Sequence, residues 1–153
     1  MTTAAPTTWR RDGFEISTER ARLDVDWIHA SLRRSYWAAN IPREVVARSL
    51  DGSLAFGVYE GARQVGIARV ITDRATFAYL ADVFVEPAYR GRGLADWLVA
   101  TIRAHPELQG LRRWLLATRD AHGLYAKHGF SALAEPGRFM EITVRNAYDG
   151  LER

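Results

Sequence analysis

The chain contains no cysteine, and only four histidines stand among its 153 residues. The absence of cysteine removes disulfides, thiolate metal sites and a covalent acyl-thioester carrier on the protein in one step. So few histidines make a metal centre unexpected. Long apolar runs are also missing: none approaches the ~18 residues that span a bilayer. The opening residues, Met1 to Gly13, lack a basic stretch followed by an apolar one. A soluble cytoplasmic protein with no membrane partner is therefore expected. Lysine is nearly absent as well; Lys127 is alone, and the basic residues are otherwise arginines. They give a net charge of +3, yet they are spread along the chain with no basic run interleaved with aromatics, so no nucleic-acid partner is expected. A mildly basic surface suits a polyanionic small ligand.

A chain of this length makes one domain and buries about two thirds of its unfolded surface. Residues 1–12 are rich in Thr and Ala and read as a flexible N-terminal segment, 13–146 as the domain, and 147–153 as a C-terminal tail. Phe14 to Thr18 alternates as a strand. Asp24 is the N-cap of a helix reaching about Trp37, with Val25, Ile28, Leu32 and Tyr36 on one face, and Pro42 starts a second short helix. Ser53–Tyr59, Gln64–Thr72 and Phe77–Val85 form an antiparallel meander, turned at Glu60-Gly61 and Asp73-Arg74. A helix follows from Leu94 towards Pro106, then a strand at Trp114–Thr118 that must run parallel to Phe77–Val85, because a helix connects them. Ala121–His128 is a helix closed by Gly129, and Phe130–Leu133 with Phe139–Val144 reads as a terminal strand pair. The fold class is thus α/β of the α+β kind, with a mixed, mostly antiparallel sheet of about seven strands and about four helices.

The chemistry concentrates between Leu80 and Ile102. A buried strand ends at Glu86-Pro87, a basic loop Arg90-Gly91-Arg92-Gly93 follows, and Leu94, Trp97, Leu98 and Ile102 recur at helical spacing beyond it. The first turn of that helix offers backbone N–H groups without carbonyl partners at the positive end of the macrodipole, which is where phosphate binds. Gly91 and Gly93 allow close approach and positive φ, and Arg90 and Arg92 add charge. An ordinary solvated turn is the bland reading of the same residues. A P-loop is excluded, because the only lysine is far from this loop, and so is a dinucleotide fingerprint from Gly91, which would need glycine or alanine where Asp96 stands.

What remains, Arg90-x-x-Gly93-x-Ala95, resembles the acyl-CoA-binding motif of the GNAT superfamily of N-acyltransferases, Gln/Arg-x-x-Gly-x-Gly/Ala. The block Ala121-x-x-Leu124-Tyr125-x-x-x-Gly129-Phe130 is similar to a second signature of that superfamily at the expected spacing. The resemblance implies the GNAT fold and acetyl-CoA as acyl donor, attacked directly by a primary amine in a ternary complex. It implies two strands that splay apart to admit the pantetheine arm against the backbones of Val83, Phe84 and Val85, with the pyrophosphate on Arg90, Gly91, Arg92, Gly93, Leu94 and Ala95. Tyr125 is the implied general acid or hydrogen-bond donor to the departing thiolate. Thr118 stands where many members have asparagine, which leaves its cofactor contact open. A GNAT-fold sensor that binds acyl-CoA without turnover is the alternative to an enzyme.

The general base is less defined. Asp82, in the strand beside the expected thioester, is the first candidate, ahead of His29, His122 and Glu141. Asp96 reads as a surface residue with no role. The acceptor is expected to be a small-molecule amine, with a peptide or protein amine as the other option, walled by Trp27, Tyr36, Trp37, Phe139 and Met140. The resemblance leaves a homodimer open.

Overall fold

The computed structural model describes residues 6–151. Its centre is a six-stranded sheet in sequence order, with β1 (Thr8–Arg11), β2 (Phe14–Ser17), β3 (Leu54–Glu60), β4 (Arg63–Thr72), β5 (Phe77–Val85) and β6 (Arg113–Leu115). Every neighbouring pair is antiparallel except β5 and β6, which are parallel as the intervening helix requires.

Both faces of the sheet are covered, so its inner strands are apolar on both sides rather than alternating with polar residues. On one face α3 (Leu94–Arg103) buries Leu98, Val99 and Ile102 against Phe56, Val58 and Val70. On the other, α1 (Val25–Leu32) and α2 (Arg43–Asp51) bury Ile28, Leu32, Val46 and Leu50 against Ala55 and Ile67. Asp24 caps α1 by accepting from the Trp27 N–H at 3.0 Å, and Pro42 precedes α2 with extended backbone. Helix α1 stops at Leu32, short of the expected Trp37; Arg33 to Asn40 form a succession of turns. The last helix, α4 (His122–Ala126), is shorter than the expected Ala121–His128.

The strand count differs at both ends. Residues 8–11, expected to be flexible, pair with β2 as an added edge strand. The expected terminal strand pair is absent: neither Phe130–Leu133 nor Phe139–Val144 pairs with any strand among the described residues. In the expected tail, Tyr148 packs against the α1–α2 side of the core, and residues 152 and 153 lie outside the described part. Among the described residues no helix is long and apolar enough to cross a membrane.

Candidate active site

The site arises from a defect in strand pairing. Between the pairs Ile67 with Phe84 and Arg69 with Ala81, Asp82 and Val83 together oppose the single residue Ala68. Asp82 takes a left-handed conformation (φ 57°), rare for a non-glycine residue within a strand. Such a bulge bends its strand. β5 pairs with β6 only from Phe77 to Tyr79, and past that point the two strands have no ladder between them. The opening between Leu80–Val83 and Leu116–Ala121 is a cavity of about 480 Å³, within the ~300–1,000 Å³ usual for small-molecule sites.

Asp82 holds the bulge through both carboxylate oxygens. Its Oδ2 accepts from Arg69 Nε at 2.6 Å and its Oδ1 from Trp37 Nε1 at 2.7 Å. The Arg69 and Asp82 side chains are mostly buried, at 18% and 8% exposed, so this pair is shielded from solvent screening. Trp37 in turn meets Tyr36 edge to face at 5.1 Å. The Tyr36 hydroxyl accepts from the Arg119 N–H at 2.8 Å, and the Arg119 guanidinium lies 3.9 Å over its ring. The turns after α1 therefore roof the cavity.

Tyr125 projects into this cavity from α4. Its ring is buried and fixed edge to face against Phe130 at 6.0 Å. Its hydroxyl makes no hydrogen bond to any described residue and is not among the buried polar atoms left without a partner, so it stays open to the cavity. Burial pushes its pKa up to about 12, so it remains a proton donor across the physiological range. Thr118, also on the cavity wall, has its hydroxyl oxygen engaged by the Ala121 N–H at 3.1 Å, ahead of α4.

At the far end of β5 the glycine loop leads into α3. Gly91 (φ 81°) and Gly93 (φ 75°) both occupy the left-handed region, which any side chain would strain. No N–H from Gly91 to Asp96 has an acceptor among the described residues, and the first helical bond is Trp97 N–H to Gly93 O at 3.0 Å. This is an open row of donors at a helix N-terminus. The arginines are placed differently from the simple expectation. Arg90 turns back, donating from Nε to the Val85 carbonyl at 2.9 Å with its guanidinium over Phe84. Arg92 lies over Tyr89. Arg11 of the added strand β1 reaches the loop instead, with Nη2 3.3 Å from Gly93 O and its guanidinium over Trp97.

A profile of the acetyltransferase (GNAT) domain matches residues 51–132, from the end of α2 through α4. A protein of Gibberella zeae named as an acetyltransferase is 34% identical over 146 residues, covering 80% of this chain and 81% of its own. The chain belongs to the GNAT acetyltransferase family. A GNAT-family protein of Xanthomonas campestris solved by crystallography is 50% identical, with a TM-score of 0.87 over 89% of this chain and 96% of that one. A more distant acetyltransferase of Clostridium acetobutylicum, crystallised with acetyl-CoA, shares the fold at 14% identity and a TM-score of 0.62, covering 85% of this chain and 94% of that one. GNAT membership makes the protein an acyl-CoA-dependent acetyltransferase.

Several expected GNAT site residues have other surroundings. Val83 and Phe84 point their side chains to opposite faces of the sheet, into the two halves of the core, which leaves their backbone at the open edge of β5. Trp27 lies away from the cleft, donating to Glu86 at 2.9 Å. Met140 is 97% exposed on a segment outside the cavity. His29 bonds the Ile41 carbonyl at 3.0 Å and so fastens the turns before α2. Asp96 accepts from His128 at 2.8 Å and pairs with Lys127, which lowers its pKa and ties the start of α3 to the end of α4. Among the described residues no group of His, Cys, Asp or Glu could hold a metal ion.

Proposed function

We propose that the chain forms a single cytoplasmic acetyltransferase domain, reaching past the expected 13–146 to β1 and to Tyr148, that transfers the acetyl group of acetyl-CoA to a primary amine of a small molecule, by direct attack in a ternary complex. The observation that carries this is the Tyr125 hydroxyl, at the end of a buried ring, without a hydrogen-bond partner among the described residues and on the wall of the cleft between β5 and β6. At the other end of the same strand lies the free N–H row from Gly91 to Asp96. These features suit the chemistry of an acyl-CoA: a cradle for phosphates, an open strand edge for an amide-bearing arm, and a donor where a thiolate would develop. When bound, acetyl-CoA supplies an activated acyl carbon and a thiolate leaving group.

The roles of the protein groups follow. Gly91, Arg92, Gly93, Leu94 and Ala95 hold the pyrophosphate mainly through backbone N–H groups, and Arg90 shapes the loop by its bond to Val85. The backbones of Val83, Phe84 and Val85 bond the pantetheine arm. Thr118 steadies the start of α4 and so the position of Tyr125, with its hydroxyl hydrogen free for the arm. Tyr125 donates a hydrogen bond to the sulfur as the carbon–sulfur bond breaks. The acceptor ammonium loses one proton before attack and another after it. Asp82 is the candidate to take the first, directly or through a water, since its carboxylate lines the cavity where the aromatic roof of Tyr36 and Trp37 would seat the amine.

Thiol release from acetyl-CoA, measured across a panel of small primary amines, tests this reading. Turnover with at least one amine, saturable in both substrates, is expected. Tight acetyl-CoA binding with no turnover on small amines or on peptide amines would overturn it.

A further inference from the structure

Arg69 interrupts the apolar run of β4. Between Gln64 and Val70 every other residue of the strand is buried, and Arg69 is partly open. Its only partner among the described residues is Asp82, met at 2.6 Å. A guanidinium has five N–H donors in a fixed fork, of which one carboxylate engages at most two. None of its nitrogens is among the buried polar atoms left without a partner, so the remaining donors open onto the cavity that Arg69 lines. Asp82 also keeps free capacity. Its two oxygens accept one bond each, from Arg69 and from Trp37 Nε1, where an ionised carboxylate has about four acceptor positions. The cavity wall thus presents a cation and an anion side by side, each with bonds still to make.

That arrangement discriminates between kinds of amine. Arg69 cancels the charge of Asp82, so the pair has no net attraction for a simple ammonium, and an ammonium drawn to Asp82 sits beside a like charge. Repulsion of this kind selects against a ligand that brings only a cation. A ligand with a carboxylate next to its ammonium meets both groups with opposite sign. Its carboxylate also supplies the acceptors that the free part of the guanidinium fork lacks, in the planar form that arginine favours. The other charged pair on the wall, Arg119 and Asp120, is 65% and 69% exposed and loosely joined at 3.9 Å. Water screens that pair, whereas Arg69 and Asp82 are mostly buried, where charged bonds are stronger.

We propose that the acceptor is an α-amino acid, held as its zwitterion with the carboxylate on Arg69 and the ammonium on Asp82. This deepens the proposed acetyl transfer to a small amine, on which it rests. Adjacent placement of the two protein charges suits a ligand whose own charges are separated by a single carbon. The ammonium gives one proton toward Asp82, from which it passes to water. The nitrogen lone pair then forms the N–C bond as the C–S pair leaves on sulfur. A second proton lost from nitrogen matches the one that the thiolate takes up. The products are an N-acetyl amino acid, the free thiol of CoA and one proton.

The test compares each standard amino acid with its methyl ester and its decarboxylated amine, by thiol release from acetyl-CoA and by calorimetric titration into the protein with and without CoA. At least one amino acid should be bound and acetylated. Its kcat/KM and its affinity should exceed those of its ester and its amine by about 10- to 150-fold, the span of one charge-assisted hydrogen bond. Arg69→Gln, whose amide can still donate to Asp82, should abolish the preference, and Arg69→Lys should restore part of it. The wild-type comparison stands even if neither variant folds. Equal or better turnover of esters and plain amines would overturn the proposal and leave acetyl transfer in place. A binding preference without turnover would uphold the proposal and refute acetyl transfer. Absence of binding by every amino acid, or a preference that survives in folded Arg69→Gln, would also overturn it.

Discussion

Replacing Tyr125 by phenylalanine isolates the hydroxyl on which the assignment of the cleft depends. The oxygen has no partner among the described residues, so its removal breaks none of their hydrogen bonds. The ring keeps its edge-to-face contact with Phe130. Stability should therefore move by no more than ~0.5 kcal/mol. Catalysis should suffer much more. With the phenol at about 12 and a thiol near ~8.5, complete proton transfer is uphill by about 3.5 pH units, or ~4.8 kcal/mol. In the proposed role the hydroxyl would contribute a hydrogen bond to developing charge, worth ~1.5–3 kcal/mol. That corresponds to a fall in kcat of about 10- to 150-fold. Thiol release at saturating acetyl-CoA gives kcat, and calorimetric titration gives Kd, which should change less than about threefold. Because the phenol stays protonated from pH 6 to 9, it should contribute no inflection to the pH–rate profile there. Wild-type kcat in Tyr125→Phe, or a loss confined to Kd, would refute the role.

Other substitutions test other parts. Gly93→Glu adds strain at a φ of 75° and a negative charge inside the N–H cradle, and should abolish acetyl-CoA binding by calorimetry, whereas Arg90→Ala should weaken it only modestly. Arg69→Leu leaves the buried Asp82 carboxylate with Trp37 alone and should cost ~3–5 kcal/mol in denaturant unfolding. Tyr59 is 2% exposed and its hydroxyl has no hydrogen-bond partner among the described residues. Tyr59→Phe should accordingly be stabilising, by about 1 kcal/mol or ~2–4 °C in Tm. Burial raises the pKa of both Tyr59 and Tyr125 to about 12. The unfolded chain therefore ionises first as pH rises through ~10, and stability should fall between pH ~10 and ~12 while these two groups leave it unaffected at lower pH.

The fold was legible wherever a local pattern coincided with a buried face. Phe77–Val85 has its expected bounds because turn signals flank an apolar run, and Asp24 and Pro42 mark helix starts by their own chemistry. The glycine loop was legible for the same reason, since both left-handed positions carry glycine. Long-range partners were not. Nothing local ties Arg11 to Gly93 or Trp37 to Asp82, and the bulge at Asp82 becomes visible only when β5 is laid beside β4. Phe139–Val144 has the alternation of a paired strand, but it pairs with no strand among the described residues. The functional motifs, Arg90-x-x-Gly93-x-Ala95 and the Leu124-Tyr125 block, were legible at the level of the family. The cleft was not, because its cavity is assembled from the turns after α1, the bulge and the residues around Thr118.

The most direct test of the acyl-CoA site is the melting temperature of the protein with acetyl-CoA at ~100-fold over Kd, with ADP as control. Saturation should add about 2.7 kcal/mol. For a domain of this size that is a rise of roughly 5–11 °C. The rise should be absent in Gly93→Glu and smaller with ADP, which lacks the arm proposed to bind the edge of β5. An unchanged Tm in a protein shown to be folded, or an equal rise in wild type and Gly93→Glu, would contradict the site.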